Sequence, residues 1–329
     1  MSASNYKQNL HEAVNQLLWR QWVAMGVTGY SDGKEAPYVL DPEALVLFSS
    51  SFCRYDQRLY DLMASWMITY SRLLNPTRLK ALCSLAKCQS STSLAYLAAL
   101  CAQESDIRWR NAARISPEQQ EEPNPLFINL PDGSALYCRE ADICARKYGL
   151  LRNPFIRQNK IRTQIPHSLS TLLLSLRGIV GVTARAEVIL LLMESPCSIQ
   201  QLSNRSGFVR SAVKVVLDEL ILSNFATAIG KGGRNMVYTL TDKDLFSHFT
   251  KGYSVSFPRW LSIYGTLEKL LQIVSMPGME KVSDTTFQGE VKHLFRESLR
   301  PELIHCGIRE LENLTENSIF DLPNILNNV

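Results

Sequence analysis

One segment, residues 183–241, constrains the fold more than any other part of this 329-residue chain. Thr183 can cap a helix that Pro196 ends, and Ser198 can cap a short second helix. Ser206 and Gly207 form a tight turn, because glycine accepts a positive φ. A third, longer helix is predicted from about 209 to 223, with an apolar face made of Val213, Val216, Leu217 and Leu220. Two short helices joined by a glycine turn predict a helix-turn-helix.

Two strand-like runs follow, 225–229 and 235–240, and the five residues between them hold three glycines and two cations. This pattern predicts a β-hairpin with a narrow basic tip. Lys231 and Arg234 at that tip can reach a phosphate or a minor groove. With this wing, the stretch SIQQLSNRSGFVRSAVKVVLDELILSNFATAIGKGGRNMVYTLT resembles the winged helix-turn-helix domains of prokaryotic transcription regulators of the ArsR and MarR type. The resemblance covers under a fifth of the chain.

In that family the third helix enters the major groove with its N-terminal half. The resemblance therefore implies DNA contacts from eight residues: Arg205, Ser206, Arg210, Ser211, Lys214, Lys231, Arg234 and Asn235. Arg210 can form a bidentate contact with guanine or hold a phosphate, and the sequence leaves both open. Ser211 and Lys214 are expected to position the backbone. Winged helices also serve as protein-docking modules, which need no basic residues.

The net charge of +4, from 35 basic and 31 acidic residues, is too dilute for a non-specific polyanion binder. Local charge is uneven. Residues 139–162 hold seven Lys or Arg against two acids, which indicates either a solvated helix face or an arm lying along phosphates. Residues 297–321 hold six acids against two arginines, and this tail is expected to face solvent rather than fold back on the basic stretch.

The remaining patterns predict a mainly α protein with five parts. Residues 1–115 form a helical N-terminal domain, with helix starts at Asp41, Asp56 and Asn75. Residues 116–138, with four prolines and three glutamates, form a linker or long loop. A basic helical connector spans 139–182, the winged helix-turn-helix 183–245, and a C-terminal helical region 246–329. Flanking helices of this kind commonly build dimers in the regulators that the segment resembles.

Other classes of protein are disfavoured. The most apolar run, 172–193, is interrupted by Arg177, Arg185 and Glu187, so no membrane span is expected. The start, MSASNYKQNLHEAVNQLLW, lacks the apolar core and cleavage site of a secretory signal, so a cytoplasmic protein is expected. Eight cysteines without such a signal indicate reduced thiols. No phosphate-binding loop, nucleophile elbow or metal-ligand set is found, so neither enzymatic activity nor a metal or other cofactor is expected.

Two hypotheses result. The first is a prokaryotic, sequence-specific DNA-binding regulator, a repressor that acts as a homodimer on double-stranded DNA. Its N-terminal helical domain would then sense a signal or hold a protein partner. The second is an antitoxin-like interaction subunit of a toxin–antitoxin or phage-defence assembly, with the winged helix as its docking surface.

Overall fold

The computed structural model describes residues 2–29, 37–86, 91–104, 106–116, 122–130, 133–230, 236–242, 244–246, 250 and 252–329. The protein is mainly helical, which confirms the predicted class. The first ten helices are α1 Ala3–Ala24, α2 Pro42–Phe52, α3 Gln57–Tyr70, α4 Pro76–Ala86, α5 Ser91–Glu104, α6 Ile143–Arg146, α7 Leu172–Val180, α8 Ala184–Glu194, α9 Ile199–Ser206 and α10 Arg210–Leu222.

After residue 250 the described helices are α11 Trp260–Val274, α12 Asp284–Leu294, α13 Arg300–Leu303, α14 Arg309–Glu312 and α15 Leu322–Leu326. A π-helical segment, Phe295–Leu299, makes α12 and α13 continuous. Single 3-10 turns lie at Cys53–Tyr55, Ser71–Leu73, Ile107–Arg110, Ala112–Arg114, Leu169–Thr171, Asp244–Phe246, Met279–Lys281 and Ser318–Asp321.

The described strands form two small sheets. β1 Asn124–Pro125 pairs in parallel with β2 Leu150–Leu151. β3 Ala226–Ile229 pairs antiparallel with β4 Val237–Leu240, and Ala226 lies opposite Leu240.

The predicted helix starts are confirmed at all three capping residues. The Asp41 carboxylate accepts a hydrogen bond from the Ala44 N–H at 3.1 Å, and Asp56 accepts one from Leu59 at 3.0 Å. The amide oxygen of Asn75 accepts one from the Arg78 N–H at 2.9 Å. Each side chain satisfies a first-turn N–H that has no partner within its helix, which fixes where the helix begins.

A single hydrophobic core joins the two ends of the chain. Helix α2 lies at its centre, since ten of its eleven residues are buried, and it packs against α3, α4, α5 and α11. The C-terminal segment packs on α1: the Tyr6 hydroxyl donates to the Ile319 carbonyl at 2.9 Å, and Arg20 donates to the Leu326 carbonyl at 2.5 Å. In the acidic tail, Glu297, Glu302 and Glu310 are exposed.

For Arg152, both interpretations of the basic stretch 139–162 are wrong. It is neither on a solvated face nor on an arm, but buried in an ion pair with Asp61 at 2.8 Å. Its guanidinium lies within 5.2–5.9 Å of four ring centroids, those of Tyr60, Tyr96, Phe127 and Phe155. A cation between aromatic faces is attracted by the ring quadrupoles. One member of the basic stretch is therefore a core residue, as is Phe127 from the segment 116–138.

Candidate nucleic-acid interface

Helices α8, α9 and α10 begin and end through local interactions. The Ser198 hydroxyl accepts from the Gln201 N–H at 3.3 Å, while the Gln201 side chain accepts from the Ser198 N–H at 2.8 Å. This reciprocal capping box starts α9. Gly207, with φ +77°, ends α9, and Asn224, with φ +62°, lies between α10 and β3. Glycine and asparagine are the residues that best tolerate this left-handed conformation.

The hairpin is held against the start of α9 by backbone pairing. Cys197, in the link between α8 and α9, exchanges two hydrogen bonds with Tyr238 of β4, at 2.8 and 3.0 Å. This isolated bridge occupies the outer edge of β4 at Tyr238. The same pairing brings Met236 and Tyr238 next to the first turn of α9 and the N-terminal half of α10.

Three of the predicted contact residues line one open groove. Arg210, Ser211 and Lys214 are exposed on consecutive turns of α10. The groove has a volume of about 600 Å³, and its other lining residues are Ser198, Ile199, Gln200, Met236 and Tyr238. Among the described residues, no carboxylate forms an ion pair with Arg210 or Lys214. The groove therefore presents two uncompensated positive charges together with hydroxyl and amide groups, a set that suits an anionic partner.

Ser206 lies in the interior rather than on this surface. It is buried, its carbonyl accepts from Arg78 Nε at 2.7 Å, and its hydroxyl accepts from the Phe208 N–H at 3.3 Å. Gly207 is partly exposed but closely packed on one side, because a Cβ there would lie 2.9 Å from a methyl carbon of Leu82. Ser206 thus fixes the turn before α10, and its side chain does not reach the groove.

Arg205 is also engaged within the protein. Its guanidinium pairs with Glu194 at 2.5 Å and donates to the Phe257 carbonyl at 2.6 Å, and only 17% of the side chain is exposed. Glu194 in turn accepts from the Phe257 N–H at 3.0 Å. This closed circuit ties α8 and α9 to the segment before α11, so Arg205 is withdrawn from the groove.

The three residues predicted at the wing tip, Lys231, Arg234 and Asn235, lie outside the described residues. The strands beside the tip are described up to Gly230 and from Met236. Asp218 and Glu219 are exposed on the C-terminal half of α10, and Glu219 forms an ion pair with Arg185. Within the described part, positive charge lies at the groove end of α10 and negative charge at the other end.

A buried charge network behind helices α8 to α10 was not predicted from the sequence. Arg78 of α4 bonds to Asp41 at 2.5 and 2.7 Å and to Glu43 at 2.6 Å. Arg177 of α7 bonds to both oxygens of Glu43 at 2.7 Å and to Glu187 of α8 at 2.5 Å. All five side chains are buried. We call these residues the charge network.

The charge network combines two arginines with three carboxylates. Burial opposes ionisation of Asp41, but the charge and hydrogen bonds of Arg78 outweigh it and hold the pKa of Asp41 below its ordinary value. Because Arg78 also donates to the Ser206 carbonyl, the network connects the N-terminal helices directly to the turn before α10. The sequence did contain a signal for it, since Arg177 and Glu187 stand out as charges within an apolar run.

Comparison with known proteins did not assign the chain to a family. No protein-family model, curated protein or solved structure matched the chain. Among the helices described, none has both the length and the apolarity needed to cross a membrane. In the described part of the chain, no three His, Cys, Asp or Glu side chains are grouped as metal ligands would be.

Proposed function

We propose that this chain is a DNA-binding transcription regulator of a prokaryotic cell, a repressor in which residues 183–241 act as a winged helix-turn-helix. The observation that carries the proposal is the open groove where Arg210 and Lys214 lie beside Ser211, with no carboxylate of the described residues within ion-pair distance. Their position on the first turns of a helix that follows a glycine turn is the one from which recognition helices contact DNA.

The side chains that line the groove suit different parts of a DNA duplex. Arg210 can form a fork with the O6 and N7 atoms of guanine, whereas Lys214, as a flexible point charge, suits a phosphate. Gln200, exposed on α9 beside the groove, can donate to a phosphate or a base edge. Because the groove has so few long polar side chains, one copy of the chain would recognise few base pairs. A homodimer bound to two half-sites would raise the sequence specificity.

The test separates recognition of a base by Arg210 from contact with a phosphate by Lys214. Fluorescence anisotropy measures binding of the full chain to 30-base-pair duplexes over a salt series. Two classes of duplex are compared, a random pool and sequences selected from that pool. Lys214→Ala should weaken both classes alike and lower the salt slope by about 0.9. Arg210→Ala should cost about 1–3 kcal/mol on selected sequences if it reads guanine, with less loss on the pool.

A matched control removes exposed cations elsewhere. Lys269 on α11 and Lys281, which follows it, are exposed and lie outside the groove. The variant Lys269→Ala/Lys281→Ala changes the net charge as much as Arg210→Ala/Lys214→Ala does. Equal salt slopes and affinities for the two double variants would contradict the proposal.

A second candidate function, protein docking, is favoured by an apolar patch at the other end of α10. Leu222 is 90% exposed, and Phe225, which precedes β3, and Ile229, the last residue of β3, are 45% and 52% exposed. Large apolar side chains exposed within a short stretch of chain indicate an interaction surface. In a regulator this patch would join two copies; in an antitoxin-like subunit it would hold the partner protein.

Mass measurement by light scattering tests the patch. Leu222→Ser/Phe225→Ser should convert a dimer to a monomer while leaving binding of one half-site unchanged. A wild-type chain that stays monomeric and binds no duplex would reject the regulator and favour the docking subunit.

A further inference from the structure

We propose that a second surface, separate from the groove, binds the sugar–phosphate backbone of duplex DNA. It consists of four exposed cations, Arg58 on α3 and Arg157, Lys160 and Arg162 on the segment 155–162, and we call it the cationic ridge. The inference rests on the proposed function in that both expect DNA as the ligand, but it depends on different residues.

The backbone of the cationic ridge is fixed along α3. The Gln158 N–H donates to the Ser65 hydroxyl at 2.8 Å, and the Tyr70 hydroxyl donates to the Arg162 carbonyl at 2.6 Å. On the other side, the Thr28 N–H donates to the Lys160 carbonyl at 2.8 Å, and the Arg162 N–H donates to the Gly26 carbonyl at 2.9 Å. The ridge segment is therefore held on both sides, so its cations project from a defined backbone.

Two of the three arginine side chains, those of Arg58 and Arg157, are also oriented by contacts within the protein. Arg58 lies over the Trp19 ring at 5.0 Å and donates to the Gly29 carbonyl at 2.9 Å. Arg157 donates to the Thr69 hydroxyl at 3.1 Å. The charged ends of Arg58 and Lys160 meet at Gly29, where they lie 3.4 and 3.9 Å from the position that a Cβ would take. Two like charges this close attract an anion more strongly than either does alone.

Asp61, a described carboxylate beside the cationic ridge, is already paired. Asp61 lines the same hollow as Arg58 and Lys160, but its carboxylate pairs with the buried Arg152 at 2.8 Å. Among the described residues, none of the four ridge cations has a carboxylate within ion-pair distance. Surface cations of folded proteins are usually balanced by nearby acids, so an uncompensated row is a footprint for an anion.

The shape of the row favours a polymer over a small phosphate. At about 3.3 Å per residue, the five steps from Arg157 to Arg162 span up to roughly 16 Å, about five nucleotide steps of one DNA strand. The ridge cations stand on the surface rather than around a closed cavity. A row of cations along one surface suits the phosphates of a duplex backbone, which face outward.

Lysine acetylation of the wild-type full chain tests the cationic ridge without any substitution. The chain is treated with an acetylating reagent with and without a 30-base-pair duplex, and modification is read by mass spectrometry. Protection of Lys160 by at least about threefold, with Lys269 and Lys281 unprotected, is expected. Lys214 reports the groove in the same experiment, so protection of one lysine without the other separates the two proposals.

Substitution gives a second measure. Arg157→Gln/Lys160→Gln/Arg162→Gln should lower the salt slope for a random duplex by about 2.7, since each phosphate contact contributes about 0.9. The control Lys269→Gln/Lys281→Gln/Arg309→Gln removes the same charge from exposed positions elsewhere. Unprotected Lys160, or equal salt slopes for the ridge and control variants, would overturn the proposal; an unchanged slope in the Arg210→Ala/Lys214→Ala variant would overturn the groove alone.

Discussion

Replacing Arg78 tests whether the charge network holds helices α9 and α10 to the N-terminal helices. Arg78→Met keeps much of the side-chain volume but removes the partner of Asp41, one of the two cations bound to Glu43, and the donor to the Ser206 carbonyl. Three buried carboxylates would then face only Arg177.

The expected loss is large for a single substitution. Breaking a buried ion pair by removing one partner costs about 3–5 kcal/mol, and an unsatisfied buried carbonyl adds about 1–3 kcal/mol. Taking about 4 kcal/mol as the lower estimate, an unfolding entropy of about 2.1 cal/mol/K per residue over 329 residues gives a Tm about 6 °C lower. Native proteins have only about 5–15 kcal/mol of stability, so the variant is expected to be marginal.

Thermal unfolding followed by circular dichroism at pH 7 measures the shift. Lys80→Met is the matched control, because Lys80 lies two residues away on the same helix and is exposed. It should change stability by less than about 0.5 kcal/mol. Arg78→Lys should fall between the two, since it keeps the charge but loses the fork of donors. An Arg78→Met protein that melts within 1 °C of Lys80→Met, a limit of about 0.7 kcal/mol, would refute the reasoning.

Three further predictions use thermal or denaturant unfolding. Burial, with a smaller contribution from the charge of Lys7, lowers the pKa of His11 to about 4. As the pH falls, the His11 side chain is therefore protonated in the unfolded chain before it is protonated in the folded one. Stability should drop by about 2 kcal/mol between pH 7.5 and 5, and His11→Gln should remove that part of the slope. Gly207→Ala should cost about 1–2 kcal/mol, because of its positive φ and the Leu82 methyl, and less in a Leu82→Ala background; equal costs in both would exclude the steric part. Arg152→Met should lower the free energy of unfolding by about 3 kcal/mol, because it leaves Asp61 buried without its partner. Adding Asp61→Asn should recover part of this loss, and fully additive effects of the two substitutions would contradict the pairing.

Local features were the ones that the sequence predicted well. The starts of α2, α3 and α4 were predicted at Asp41, Asp56 and Asn75 because a cap acts on a backbone N–H three residues away. The exposed positions of Arg210 and Lys214 follow in the same way, since the helix period separates them from the buried positions of α10. Nothing beyond neighbouring turns is needed for such predictions.

Long-range partners were the ones that the sequence could not supply. Arg205 and Arg210 look equivalent in the sequence, yet Arg205 is withdrawn by Glu194 and by the Phe257 carbonyl, 52 residues further along the chain. Arg152 and Arg157 belong to one basic stretch, but only Arg152 is buried. A charged side chain can be assigned to the surface or to the interior only when its partner is known.

By itself, then, the sequence determined the mainly helical class, the helix starts and the cations that line the groove, because these depend on interactions within a few residues. Only the tertiary structure decided which charges are available to a partner. The charge network joins α2, α4, α7 and α8 across up to 146 residues, from Asp41 to Glu187. Burying an ion costs several kcal/mol unless such partners meet, so the packing of distant helices separates structural charges from those left for a ligand.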